Sequence, residues 1–190
     1  YKLELSRVLE AQQMLARDNR VADVNILRNL VQGVAFFASA TLLVLAGLLT
    51  ILGSTDRAIE IVRALPFAAK TTLLQWEMKL LVLCVIFVYA FFKFTWALRQ
   101  FNYCSTLIGA APKGPDDAFA RRAAGVATHA SKDFNQGLRA YYFSLAALSW
   151  FVSPWLFLAA TSAVAVVLYL REYRSTALQV LSASGVGEHK

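Results

Sequence analysis

The chain has 190 residues, 58% hydrophobic and 16% charged, with a mean hydropathy of +0.51 and a formal net charge of +7. That composition is too apolar for an ordinary water-soluble domain. The positive charge sits between the apolar runs, where it sets membrane orientation and meets lipid head groups, so no nucleic-acid partner is expected.

Residues 1–28 mix charge with Leu5, Val8, Leu9 and Leu15, which fall roughly on one helical face. The expectation is an amphipathic cytoplasmic segment lying on the membrane surface or against the bundle. Asn29 to Thr55 then carries no charge. About twenty helical residues cross the hydrocarbon, so the first span is placed at 29–52. Its entrance is polar: Asn25, Asn29 and Gln32 share a face at i, i+4, i+7. Ala38, Ser39, Ala40, Ala46 and Gly47 are small enough for close helix packing. Residues 56–65, with Ile59, Ile61 and Val62 among Arg57, Glu60 and Arg63 and then Pro66, read as a short interfacial helix stopped by proline.

The second span, 76–97, is bracketed by Trp76 and Trp96, about 30 Å apart on a helix, as an aromatic belt requires. Glu77 and Lys79 are expected to reach head groups at one end, and Lys93 to snorkel to the other. Residues 98–131 form a cytoplasmic loop and helix. The loop lies at 109–117, with two prolines and two glycines, and Asp116 or Asp117 suits the N-cap of the helix that follows.

Ala140 to Leu170 is thirty-one residues without a charge, interrupted by Pro154. As one helix it would measure about 46 Å, more than a bilayer absorbs by ordinary tilt. A helical hairpin turning at Ser153–Trp155 fits better. The spans are then 132–153 and 155–174, the first extended back to Lys132, so that Asn135, Gln136 and Arg139 lie within the membrane's thickness and face other helices. Residues 175–190 turn polar and read as a flexible tail. The fold class is therefore all-α: an integral membrane helical bundle at 29–174 with about four transmembrane helices. Fourteen basic residues fall on the side holding residues 1–28, 97–132 and 175–190, against Arg57, Arg63 and Lys70 opposite. The richer side, C-terminus included, is expected to be cytoplasmic, in a bacterial inner membrane.

Motifs for chemistry are missing. There is no phosphate-binding glycine loop, dinucleotide fingerprint or HExxH. His129 stands alone on a polar helix, and Cys84 and Cys104 have no metal-ligand spacing. No enzyme activity, catalytic residue, metal or cofactor is expected. One constellation stands out, a polar band in the cytoplasmic leaflet: Asn29 and Gln32 on the first span, Lys93 on the second, Asn135 and Arg139 on the third, Arg171 and Glu172 on the fourth, with Asp133 and Glu172 as available counter-charges. Such a band can lock helices together, bind anionic lipid or line a path for small anionic solutes. Two functional classes follow. One is a small oligomeric channel or transporter. The other is a non-catalytic accessory or structural subunit of a larger membrane complex, or an anionic-lipid-binding membrane protein. The partners expected are anionic membrane lipids and further subunits, alike or different.

Three segments together carry a resemblance: NILRNLVQGVAFFASATLLVLAGLL at 25–49, FKFTWALRQFNYCSTLIGAAP at 92–112, and DFNQGLRAYYFSLAALSWFVSPW at 133–155 with LREYRS at 170–175. They resemble the domain-of-unknown-function family five-nine-nine, multi-pass membrane proteins of bacteria and plants. The resemblance covers most of residues 1–175 and implies the topology. It also implies a further apolar span upstream of Tyr1. It transfers no activity and no catalytic residue.

Overall fold

The computed structural model describes residues 2–16, 21–55, 60, 72–112, 114 and 116–173. The interfacial helix expected at 56–65, apart from Glu60, and the tail at 175–190 lie outside them. Among the described residues there are five α-helices, α1 (Lys2–Ala16), α2 (Val21–Leu52), α3 (Leu73–Ala110), α4 (Asp117–Leu148) and α5 (Pro154–Tyr173), with a 3₁₀ turn at Ser149–Phe151. Among the described residues there is no strand, and the chain is an all-α helical bundle.

α3 packs against both α2 and α4, and α4 in turn carries α1 and α5. On α2 the buried residues Leu27, Val34, Ala38, Thr41 and Leu48 repeat at helical spacing and form one stripe. α4 presents Ala130, Gly137, Ala140 and Ser144 inward. These small side chains let its backbone approach α3 closely. At Gly137 the approach is closest: a Cβ there would lie 2.5 Å from Cε1 of Phe94, which is fully buried.

Aromatic rings fill the space where α2, α3 and α4 converge. Phe37 stacks on Phe94 at 5.5 Å, and Tyr141 meets Phe37, Phe87 and Phe94 edge-on at 5.3–5.9 Å. Phe134 closes the cluster. Among these rings the Thr41 Oγ1 and Tyr141 Oη hydroxyls pair at 2.9 Å. Thr41 also donates to the Phe37 carbonyl, so no hydroxyl is stranded there.

The helix starts follow local chemistry. Thr72 and Gln75 form a reciprocal capping box at the start of α3. Asp116 caps α4 by accepting from the Phe119 N–H at 2.9 Å, as its place in the sequence predicts. Gly114, in the loop before it, has φ +105°, a conformation that a side chain resists.

The hairpin forms where predicted, though Pro154 works differently. α4 ends at Leu148, six residues earlier, and the chain tightens through the 3₁₀ turn. There Val152 and Ser153 both donate to the Ser149 carbonyl. Pro154 opens α5, in the first helical position where its missing N–H costs nothing. Pro154→Ala is therefore expected to keep the melting midpoint within a few degrees of wild type. A drop of more than about 8 °C, some 2–4 kcal/mol for a chain of this size, would show that the ring itself sets the turn.

Among the described residues three helices are long and apolar enough to cross a membrane: Val21–Leu52, Leu73–Ala110 and Pro154–Arg171. α4, the helix of the expected third span, is not among them by its own composition. Its first five turns are rich in Ala, Arg and polar residues, and its apolar run begins only at Ala140. α5 lies against α4 and the turn, and none of its apolar window is buried inside the chain.

Beyond this bundle α1 folds back on the polar end. Met14 and Leu15 pack against Phe119 and Ala120 of α4, flanked by Leu107 and Ile108. Gln12 Nε2 donates to Asp117 Oδ1 at 2.7 Å. Of the two placements open to this amphipathic segment, it lies against the bundle. Leu9, expected on the apolar face, is half exposed, and Met14 takes the buried position.

Candidate functional site

Polar groups concentrate at two levels of α3, about 21 Å apart along its axis. At the hairpin end, Lys79 is buried and donates to the Trp150 carbonyl at 3.0 Å, with its ammonium over the Trp150 and Phe151 rings. The expectation that Lys79 reaches outward to head groups is thus corrected. The α4–α5 turn supplies both a carbonyl and two aromatic faces, and these replace water. Trp76 differs from expectation in the same way: its indole is buried edge-on against Phe151 at 4.6 Å. Trp96 is half exposed, as a belt residue should be.

At the other level, Lys93 Nζ lies 2.9 Å from Asp133 Oδ1 of α4. The other carboxylate oxygen accepts from Gln100 Nε2. One carboxylate therefore gathers an ammonium and an amide from positions two turns apart on α3, fixing the register of the closest helix pair. Lys93 was in the predicted band and Asp133 was named as a counter-charge. Gln100 was missed, although it lies seven residues from Lys93 and hence on the same face of α3.

The rest of the band does not converge on this network. Asn29 and Gln32 are exposed on α2, on the side away from its buried stripe. They sit one to two turns beyond Phe37, which stacks on Phe94 beside Lys93, so they share the end of the bundle and not the site. Asn135 and Arg139 are exposed on α4. The positions towards α3 belong to Ala130, Gly137 and Ala140, and Asn135 and Arg139 are about 160° of helical rotation from Gly137. Arg171 on α5 reaches the Tyr142 hydroxyl of α4 at 3.4 Å, tying the two arms of the hairpin near their open end. Glu172 lies in α5, with its side chain outside the described part.

Next to the Lys93 network, on the outer surface of α3, is a groove of about 530 Å³ lined by Tyr89, Phe92, Lys93, Thr95, Trp96 and Arg99. The Arg99 guanidinium lies 5.5 Å from the Trp96 ring and 5.7 Å from that of Tyr103, and its Nε donates to Tyr103 Oη at 2.7 Å. Among the described residues no carboxylate faces Arg99 and no other guanidinium nitrogen of Arg99 makes a hydrogen bond. The two cations of the groove are therefore unlike: Lys93 is neutralised by Asp133, and Arg99 is held in place by rings. Among the described residues no group of three or more potential metal ligands comes together.

A helical bundle with three apolar helices of crossing length, a charge pair at one end and an aromatic-held lysine at the other defines a membrane-embedded helical protein. The family model described as "Protein of unknown function, DUF599" matches residues 6–177. The chain belongs to that family, which bears out the resemblance read from its three segments. No curated protein and no solved structure matches the chain.

Proposed function

We propose that this is a non-catalytic accessory or structural membrane protein, which works through the outer surface of its bundle and not through an internal path. The supporting observation is the filled interior. Phe37, Phe87, Phe94, Phe134 and Tyr141 occupy the convergence of α2, α3 and α4, and Asp133 ties the charged end of α3 to α4. A solute crossing a single copy would have to displace this cluster. The working surfaces are then the exposed apolar faces of α2, α3 and α5, towards lipid or another subunit, and the basic lobe of α1, the end of α3 and the start of α4. By the excess of basic residues that lobe lies in the cytoplasm, with the C-terminus on the same side. Reconstituted alone into vesicles, the protein is expected to give no anion efflux above protein-free vesicles, and gentle extraction to recover it with different subunits. Efflux that rises with the amount of protein would overturn this reading.

One observation favours a second reading, an oligomeric channel. Asn25, Asn29, Gln32, Ser39, Gly47 and Thr50 are exposed along the side of α2 opposite its core stripe. Such a face could line a path only between copies. Its signature would be a closed homo-oligomer together with efflux.

The orientation has its own test. In a background lacking Cys84 and Cys104, His129→Cys should resist a membrane-impermeant maleimide in intact cells, and Pro154→Cys at the hairpin turn should react. The reverse pattern would invert the topology.

A further inference from the structure

We propose that the groove on the outer face of α3 binds one anionic phospholipid, with its phosphate on Arg99 and an acyl chain running down α3. The inference deepens the reading of the outer surface as the working surface, and it begins with the state of the two cations. Lys93 is spent on Asp133 at 2.9 Å. Arg99 carries a full charge with no carboxylate facing it among the described residues, and its guanidinium plane is fixed by Trp96, Tyr103 and the Nε–Oη bond of 2.7 Å. An arginine so held keeps its remaining N–H donors in a planar fork, the shape that matches two phosphate oxygens, and little side-chain freedom is left to lose on binding.

Depth and polarity select a lipid. Trp96, half exposed, marks the interfacial level, and Arg99 lies one turn beyond it on the polar side. On the other side the same face of α3 continues as Phe92, Tyr89, Val85, Val82 and Met78, all exposed and apolar in body. Residues four and three apart on one helix form a continuous strip, here about 20 Å long, a length that an extended acyl chain can cover. Head-group chemistry above and an uninterrupted apolar strip below is the pattern of a molecule charged at one end. A soluble anion would use only the upper part. Lys93, at the groove's edge, stays paired with Asp133, so the anion falls to Arg99.

The test uses the full chain purified in a neutral detergent, with the melting midpoint as readout. Phosphatidylglycerol is expected to raise the midpoint at concentrations where phosphatidylcholine and inorganic phosphate do not. Arg99→Gln should weaken the phosphatidylglycerol effect about tenfold or more, and Arg99→Lys should restore it only in part. Arg28→Gln, an equal loss of charge at an exposed position of α2, should behave as wild type. Trp96→Leu removes the stacking plane at an exposed position and serves as the deciding variant if Arg99→Gln does not fold. Equal protection by the two lipids, or by inorganic phosphate alone, would overturn the proposal. So would an unchanged lipid preference in Arg99→Gln, or in Trp96→Leu if that variant has to decide. Vesicle efflux is indifferent to these results, so this proposal and the accessory reading fail separately.

Discussion

Gly137→Ala should destabilise the bundle by about 1–3 kcal/mol, although alanine is the better helix former by about 1 kcal/mol. The added methyl carbon would lie 2.5–2.9 Å from three atoms of the Phe94 ring, where real carbon contacts are near 3.5 Å or longer. Phe94 cannot swing aside. It is fully buried, stacked on Phe37 and met by Phe134 and Tyr141 from other sides. Either α4 moves away from α3, loosening the Asp133 contacts a turn away, or the whole cluster repacks. Phe94→Leu alone should cost a few kcal/mol through the cavity it leaves. Combined with Gly137→Ala it should cost less than the sum of the two, because the smaller side chain makes room for the methyl. Melting midpoints of the two single variants and the double variant form a cycle. Strict additivity would mean that the two residues do not share the contact.

This clash explains which parts of the fold could be read in the sequence. The hairpin was legible because Pro154 divides a charge-free run too long for one crossing. α2 and α3 were legible from apolar length. The close contact of α4 with α3 was not. Gly137 sits in a segment, DFNQGLRAYYF, whose hydropathy is unremarkable, and nothing local says that its missing side chain makes room for a ring forty-three residues earlier. Which members of the predicted polar band meet was hidden for the same reason. Depth along a helix can be counted in residues at 1.5 Å each, so the sequence puts Asn29, Gln32, Lys93, Asn135 and Arg139 at one end of the bundle. Azimuth depends on which face packs, and that is decided by the small residues of α4. Counting forward from Gly137 as the contact point would have placed Asp133 inward and Arg139 outward. Lys79 shows the limit from the other side. A lysine six residues inside an apolar helix reads as snorkelling, and only the returning turn at Trp150 reveals the carbonyl and rings that hold it.

Removing the Asp133 carboxylate is the second change expected to have a large effect, and it separates a structural lock from a working site. The carboxylate neutralises Lys93 and accepts from Gln100, so Asp133→Leu strands an ammonium and an amide together. Leaving a partly buried charge and a polar group unsatisfied costs about 1–3 kcal/mol, more in a fully dry site. Here the side chains of Lys93 and Asp133 keep 28% and 15% of their surface exposed, so solvent relieves part of that cost. Asp133→Asn should be milder, since its amide oxygen still accepts from one donor. The informative variant is the pair Lys93→Leu with Asp133→Leu. If the network only holds α3 and α4 in register, the double variant should regain most of the stability lost in Asp133→Leu, because no charge is left unpaired and apolar packing replaces the pair. It should then also keep the phosphatidylglycerol response, which rests on Arg99. A double variant as unstable as Asp133→Leu would mean that Gln100 is the group that suffers. A stable double variant that has lost its lipid response would move Lys93 from the edge of the groove to its centre. Melting midpoints with and without phosphatidylglycerol, on four proteins, resolve these outcomes.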